Sequence, residues 1–334
     1  MADQDDFAVE LLDAIPDAAA IFGADGRLTH GNRRLAALVS SARLEGRTVL
    51  ELTRSAELGA ALISALGGAP ARLEVELPSR RATVLAHASP LSSRRALLVL
   101  RDVTEAKRLE RARRDFVSNA SHELRTPVTA IAGAAETLLL GAVDSPSDAR
   151  AFVEMISRHA ERLARLTQEL LDLARLEAGE WPITSERLEV AAVARTCLEL
   201  LRPRAAQKEI ALSAALPAGL LVQGDRRALE QILVNLLDNA VKYTPARGTI
   251  SLEASRRGEW VELAVKDTGP GIEPRHLSRL FERFYRADPG RSREAGGTGL
   301  GLAIVKHLAQ AQGGEVGVES GLAGSRFWLQ LPAG

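Results

Sequence analysis

The feature that most constrains the chain is a seam of residues spaced alternately four and three apart. Phe152, Ile156, His159, Leu163, Leu166, Leu170 and Leu173 follow that rhythm, and only a long α-helix gathers such positions onto one stripe. Upstream, Leu109, Ala112, Phe116, Ala120, Leu124, Pro127, Ile131, Ala134 and Leu138 also recur at helical spacing, with Pro127 predicting a local kink. Between them Gly141-Ala-Val-Asp-Ser-Pro-Ser147 predicts a turn, with the second helix starting at Ser147-Asp148. Two antiparallel helices bury only half of such a seam, so a second copy is expected to complete a dimeric four-helix bundle.

This hairpin, residues 105–180, divides a chain whose 334 residues suit two or three domains. Residues 1–104 mix short helical pieces with strand-like runs at Ala18–Phe22, Leu73–Leu77, Thr83–Ala88 and Ala96–Leu100. Gly23-Ala-Asp-Gly26, Gly67-Gly68 and Pro78-Ser79 mark turns between them, which predicts a small α+β domain. In residues 184–334 helices are expected at Val190–Gln207, Asp225–Tyr243 and Leu300–Gln312. Strands are expected at Ile210–Ala214, Thr249–Ser255, Trp260–Lys266, Glu315–Ser320 and Arg326–Leu331. Helices layered on one face of a mostly antiparallel sheet make a multidomain α+β chain ending in an α/β sandwich.

Composition removes some classes of function. Lys plus Arg and Asp plus Glu stand at 43 each, so there is no basic excess of the kind that direct nucleic-acid binding uses. The one cysteine, Cys197, precludes an internal disulfide and sits at helical spacing from Val193 and Leu200, which predicts a buried thiol. No run reaches the roughly 18 apolar residues of a membrane span, and Met1–Asp6 is acidic where a secretory signal is basic. A soluble, cytoplasmic chain is expected, or the cytoplasmic part of a longer membrane protein.

Phe116-Val-Ser-Asn-Ala-Ser-His-Glu-Leu-Arg-Thr-Pro-Val128 carries the chemistry. His122 lies roughly 200° around the helix from both Ala120 and Leu124, so the seam points one way and the imidazole points to solvent. His159, by contrast, occupies a seam position and is expected to pack in the bundle. An exposed neutral imidazole is a competent nucleophile. Adjacent Glu123 can accept the ring's other proton, and Thr126, one turn on, places a hydroxyl beside it.

Further along, Asn235-Leu-Leu-Asp-Asn-Ala-Val-Lys-Tyr-Thr244 places Asn235, Asn239 and Lys242 on one helix face, opposite Leu229, Ile232 and Leu236. Two carboxamides and an ammonium suit Mg²⁺ and phosphate oxygens. Asp267-Thr-Gly-Pro-Gly-Ile272 follows a strand and offers a carboxylate to an exocyclic amine, with Gly269 and Gly271 allowing close approach. Gly296-Gly-Thr-Gly-Leu-Gly-Leu-Ala-Ile-Val-Lys306 opens a helix with a glycine-rich loop suited to phosphate. It follows no βαβ start and lacks the Gly-Lys-Ser/Thr ending, so neither the dinucleotide nor the P-loop pattern applies. In Leu280-Phe-Glu-Arg-Phe-Tyr-Arg286, Arg283 or Arg286 could neutralise charge on a transferred phosphoryl group. The glycines and charges of Asp288–Gly297 predict a lid over the nucleotide.

Together these segments resemble, in order, the boxes of two-component sensor histidine kinases, over about Glu105 to Leu331. The Ser-His-Glu-Leu-Arg-Thr-Pro core resembles the H-box. That likeness implies His122 as phosphoacceptor, Glu123 as assisting base and Thr126 as the residue assisting phosphatase activity. It implies an ATP-binding domain in which Asn239 holds Mg²⁺, while Asn235, Lys242, Gly297, Gly299 and Gly301 contact phosphates. It further implies that Tyr243 packs near the adenine and that Asp267 reads the adenine amino group. A receiver-domain aspartate of a response regulator is the implied partner, with specificity expected around Thr129, Ala130 and Gly133.

Leu11–Asn32 resembles the opening of a PAS domain and Asp102-Val-Thr-Glu105 its end. His30 and His87 are expected in surface or packing roles rather than as haem ligands. The layout as a whole is similar to phosphate-regulon sensor kinases. Two other readings compete. ATPases of the gyrase, Hsp90 and mismatch-repair group share the nucleotide boxes but use a water-activating glutamate where this chain has Asn235. A nucleotide-binding scaffold would keep the boxes and phosphorylate nothing.

Overall fold

The computed structural model describes residues 10–41, 43–78, 82–288 and 297–334. The acidic start Met1–Asp6, the turn residue Ser79 and residues 289–296 of the expected lid lie outside them. The chain forms two compact units, Met1–Asp115 and Phe116–Gly334.

In the first unit the strands are β1 (Ala18–Phe22), β2 (Leu28–Gly31), β3 (Ala71–Leu77), β4 (Ala82–Leu91) and β5 (Arg95–Asp102). They pair antiparallel in the order β2-β1-β5-β4-β3. Helices α1 (Arg33–Val39), α2 (Val49–Thr53) and α3 (Ala56–Leu66) fill the stretch between β2 and β3. Phe22, Leu28, Leu58, Leu77, Leu98 and Leu100 are buried in one core.

Asn32 ties the start of this unit together. Its buried carboxamide accepts from Ala19 N–H at 3.0 Å and Leu35 N–H at 2.9 Å. It donates to the carbonyls of Leu12 at 3.0 Å and Asp17 at 2.8 Å. One side chain thus caps α1 and fixes the edge of β1, with every polar group partnered. His87 is exposed on β4 and His30 is half-buried on β2. Among the described residues no cluster of three potential metal-ligating side chains occurs.

Helix α4 (Thr104–Leu139) runs unbroken past Pro127, and α5 (Pro146–Glu177) returns beside it. The second helix begins at Pro146, one residue before the expected start, because proline at the first helical position gives up only an N–H that would lack a partner there. The seam residues of α5 are half-buried or buried, with Leu166 and Leu173 fully so. On α4, Leu109 and Ala112 were expected in the seam but are exposed, as are Val117, Val128 and Leu139. One hairpin does not contain enough apolar surface to cover both faces of its own helices.

Beyond the hairpin come β6 (Glu186–Glu189), α6 (Val190–Gln207), β7 (Ala211–Ala215), β8 (Leu221–Gly224), α7 (Arg226–Tyr243), β9 (Thr249–Arg257) and β10 (Trp260–Asp267). The chain ends with α8 (Pro274–Leu277), α9 (Gly301–Ala311), β11 (Glu315–Gly321) and β12 (Gly324–Pro332). The sheet order is β11-β12-β10-β9-β7, antiparallel except that β7 runs parallel to β9. The apolar stripes of α6, α7 and α9 join the inner sheet residues Ile250, Leu252, Val261, Leu263 and Val265 in one core. Cys197 is inside it, and burial, with Glu230 nearby, pushes its thiol up to about 11. Such a thiol is packing material, not a nucleophile. Among the described residues no helix is long and apolar enough to cross a membrane.

Candidate active site

Helix α7 builds one wall of a cleft of about 300 Å³. Asp225 caps its start by accepting from Ala228 N–H at 2.8 Å. At the other end Lys208 donates to the carbonyls of Val241, Lys242 and Thr244 at 2.8, 2.9 and 3.2 Å. An ammonium on the last carbonyls complements the negative end of the helix dipole and holds the wall in place. The inward face carries Asn235, Asn239, Lys242 and Tyr243, all lining the cleft, while Leu229, Ile232 and Leu236 are buried behind. Among the described residues the buried Asn235 Nδ2 has no hydrogen-bond partner. A donor left unpaired inside a protein is costly, and a phosphate oxygen in the cleft would satisfy it.

Asp267 stands at the end of β10, buried, and accepts from Gly269 N–H at 2.7 Å and Ser325 N–H at 3.4 Å. Burial raises its carboxyl above the ordinary aspartate range against the pull of those two bonds. Gly271 and Asp267 line the cleft, whereas Gly269 supports Asp267 from behind.

Gly271 has a φ of 72°, and a Cβ there would sit 1.8 Å from the Gly321 carbonyl oxygen. A side chain would therefore meet both backbone strain and a collision. Gly271→Ala is expected to lower stability by about 3 kcal/mol, about 10 °C in the melting temperature of a unit this size. Gly258, with a φ of 63° and open space around it, isolates the strain alone. Gly258→Ala should cost about 1 kcal/mol, and calorimetric melting of the two variants separates the effects. Equal melting temperatures would contradict the close approach at Gly271.

The glycine-rich loop leads into α9 and presents Gly297, Thr298, Gly299 and Gly301 to the cleft. Gly299 has a φ of 79°, and its carbonyl accepts from Phe284 N–H at 2.9 Å. Arg286 lines the cleft, donating to the Gly297 carbonyl and, at 3.2 Å, to Glu123. Arg283 does not join it. Its guanidinium pairs with Glu177 of α5 at 2.6 Å and lies 5.5 Å from the Phe116 ring centroid. Of the two arginines, Arg286 is the one at the glycine-rich loop.

His122 is exposed on α4 and is not among the residues lining the cleft. The Thr126 hydroxyl donates to the His122 main-chain carbonyl at 3.2 Å. Glu123 accepts from Arg162 at 2.9 Å as well as from Arg286, all three side chains being largely buried. The expected base thus carries two guanidinium groups, both on Oε2.

The cleft also holds residues to which the motifs assign no chemical role. Asp238 pairs with Lys242 at 2.6 Å and with Arg204. Burial acts to raise its carboxyl, but the two cations outweigh burial and hold it below the ordinary range. Lys242 therefore enters the site already neutralised on one side. His276 Nδ1 and the Tyr285 hydroxyl meet at 2.6 Å on the rim, and Arg279 lies 4.3 Å from the Tyr285 ring centroid. Glu169, from α5, reaches the cleft across the sequence.

Three family models match the chain. A PAS fold covers residues 12–108, a His Kinase A (phospho-acceptor) domain covers 112–179, and a histidine kinase-, DNA gyrase B- and HSP90-like ATPase covers 224–334. The sensor-like histidine kinase SenX3 of Mycobacterium tuberculosis is 40% identical over 279 residues, 80% of this chain and 68% of the relative. The phosphate regulon sensor protein PhoR of Pseudomonas aeruginosa is 40% identical over 241 residues, 71% of this chain and 54% of the relative. Histidine kinase ThkA, solved in complex with the response regulator TrrA, matches 97% of this chain and 98% of its own at a TM-score of 0.55. At 20% identity that last likeness shows the fold. Phosphoacceptor hairpin, ATPase-type cleft and PAS fold occur here in one order, and the chain belongs to the sensor histidine kinases of two-component systems.

Proposed function

We propose that the chain phosphorylates its own His122 from ATP and passes the group to an aspartate on the receiver domain of a response regulator. The exposure of His122 carries this reading. The flanking seam positions Ala120 and Leu124 are partly covered, while the imidazole one face away is left to solvent and packs against nothing the fold requires. In the transfer an imidazole nitrogen bonds to the γ-phosphorus. The bond to the β–γ bridging oxygen breaks, ADP leaves, and the ring proton goes to Glu123. In the second step the nitrogen–phosphorus bond breaks as the aspartate oxygen takes the phosphoryl group. Thr126, one turn on, would hold the water for the reverse, phosphatase, reaction.

In the cleft Asp267 reads the adenine amino group, Tyr243 packs near the ring, and Asn235, Lys242, Arg286 and the loop glycines take the phosphates. Asn239 would hold Mg²⁺. Its carboxamide oxygen suits a hard cation that keeps most of its ligands from phosphate and water, and among the described residues no all-protein metal cage competes. Mg²⁺ supplies charge neutralisation on the phosphates when bound. The exposed apolar residues of α4 and α5 support a homodimer formed through the hairpin. ThkA's complex with TrrA supports the choice of partner, and the likeness to PhoR supports phosphate-linked signalling. Thr129 and Gly133, exposed just below His122, with half-buried Ala130, are the surface on which partner choice would be read.

The test is incubation with γ-labelled ATP and Mg²⁺. A protein-bound label that survives base and is lost in acid is the expected result. A chain that binds ATP yet takes no label would be a nucleotide-binding scaffold.

A further inference from the structure

Among the described residues the nucleotide cleft is lined from residues 184–334 with one exception. Glu169 belongs to α5 of the hairpin, yet it lines the cleft at its phosphate end beside the glycine-rich loop. There it accepts a hydrogen bond from the hydroxyl of Thr298, and that hydroxyl in turn accepts from Leu300 N–H at 3.3 Å. Thr298 is itself buried, with 9% of its surface exposed. Around the Glu169 carboxylate stand Lys242, Arg165 and Asp238. Lys242 is already paired with Asp238 at 2.6 Å, and Arg204 shares the same aspartate.

An acid in this position is a poor choice for a site that receives phosphates. Burial pushes its carboxyl up, against the bond from Thr298 and the pull of Lys242 and Arg165, so the site holds the charge at a cost. A triphosphate entering the loop would bring several more negative charges to the same end. It would also compete for the Thr298 hydroxyl that now donates to Glu169. The same contact helps hold the nucleotide domain on the hairpin, with Leu166 and Leu173 in the shared core and Phe116 5.8 Å from Phe284.

We propose that Glu169 is a nucleotide-sensing residue of the site, contributed by the hairpin, through which docking on the hairpin and binding of a triphosphate oppose each other. ATP displaces the carboxylate from Thr298 and frees the domain to approach a phosphoacceptor. ADP, one phosphate shorter, displaces it less. Coupling between two binding events is reciprocal, so whatever ATP does to the latch, the latch does to ATP affinity. This rests on the ATP reading of the cleft.

The experiment is calorimetric titration of the full chain with ATP and with ADP, each with Mg²⁺, for the parent, Glu169→Ala and Glu169→Gln. Removing the latch should tighten ATP binding about tenfold, within the usual span of such couplings, and tighten ADP binding less. Glu169→Gln keeps an acceptor for Thr298 without the charge and should give most of the gain, which guards against a misfolded Ala variant. A parent that binds ATP, with both variants binding it no more tightly, overturns the latch alone. A parent that binds no ATP overturns the ATP reading, and the latch with it.

Discussion

A His122→Gln chain should take no label from γ-labelled ATP while binding ATP within about twofold of the parent, the spread normal for a surface substitution. Glutamine's carboxamide nitrogen has no available lone pair, so the step that forms the nitrogen–phosphorus bond has no nucleophile. Nothing else should change. His122 is exposed, its main-chain carbonyl still accepts from Thr126, and the Glu123 pairs with Arg162 and Arg286 do not involve the imidazole. The readouts are label retained on the protein and a titration for ATP affinity. Retained base-stable label would move the acceptor elsewhere, and the half-buried His159 of α5 would be the next residue to replace.

The main elements and the wall of the cleft were legible because periodic patterns wrote them. Val190–Gln207 was placed to the residue, and the face of α7 bearing Asn235, Asn239 and Lys242 followed from spacings of four and three. Four-residue strands were not legible. β6 buries only Leu188 and β2 only Leu28, too few positions for an alternation to show. Leu109 and Ala112 fit the seam by spacing but lie exposed on a single hairpin. Spacing says which residues share a face, not whether this chain alone covers it.

Contacts that join distant segments left still less trace. Glu169 and Thr298 are 129 residues apart, Arg286 and Glu123 163 apart. Glu169 sits between Leu166 and Leu170 on α5, where a charged residue beside an apolar seam ordinarily faces water. The one cue was its nearness to the seam, and that cue is shared with Arg162, which turns instead to Glu123. The boxes located the chemistry of each segment. They did not say that the acid beside His122 would be held by two arginines, since that depends on the docking of one segment on another.

Asp267 offers the second large effect. Its carboxylate is positioned from behind by Gly269 N–H and points into a cleft with no other assigned acceptor for an adenine amino group. Adenine presents a donor at that place and guanine an acceptor. A site built around one acceptor rejects a ligand offering another acceptor, because the buried group is left unpaired. The parent should therefore prefer ATP over GTP by at least about 100-fold. Asp267→Ala should weaken ATP binding by about 100-fold or more, through loss of the acceptor and release of the Gly269 and Ser325 N–H groups that now donate to it. The base preference should collapse with it, since GTP loses nothing and escapes a repulsion. Asp267→Asn keeps a carbonyl oxygen for the same donors and should retain part of both. Competition titrations of the three chains with ATP and GTP read out all of this at once. An alanine variant that kept the parent's preference would place base reading on other residues of the cleft, and the phosphate-end assignments would then stand without their adenine partner.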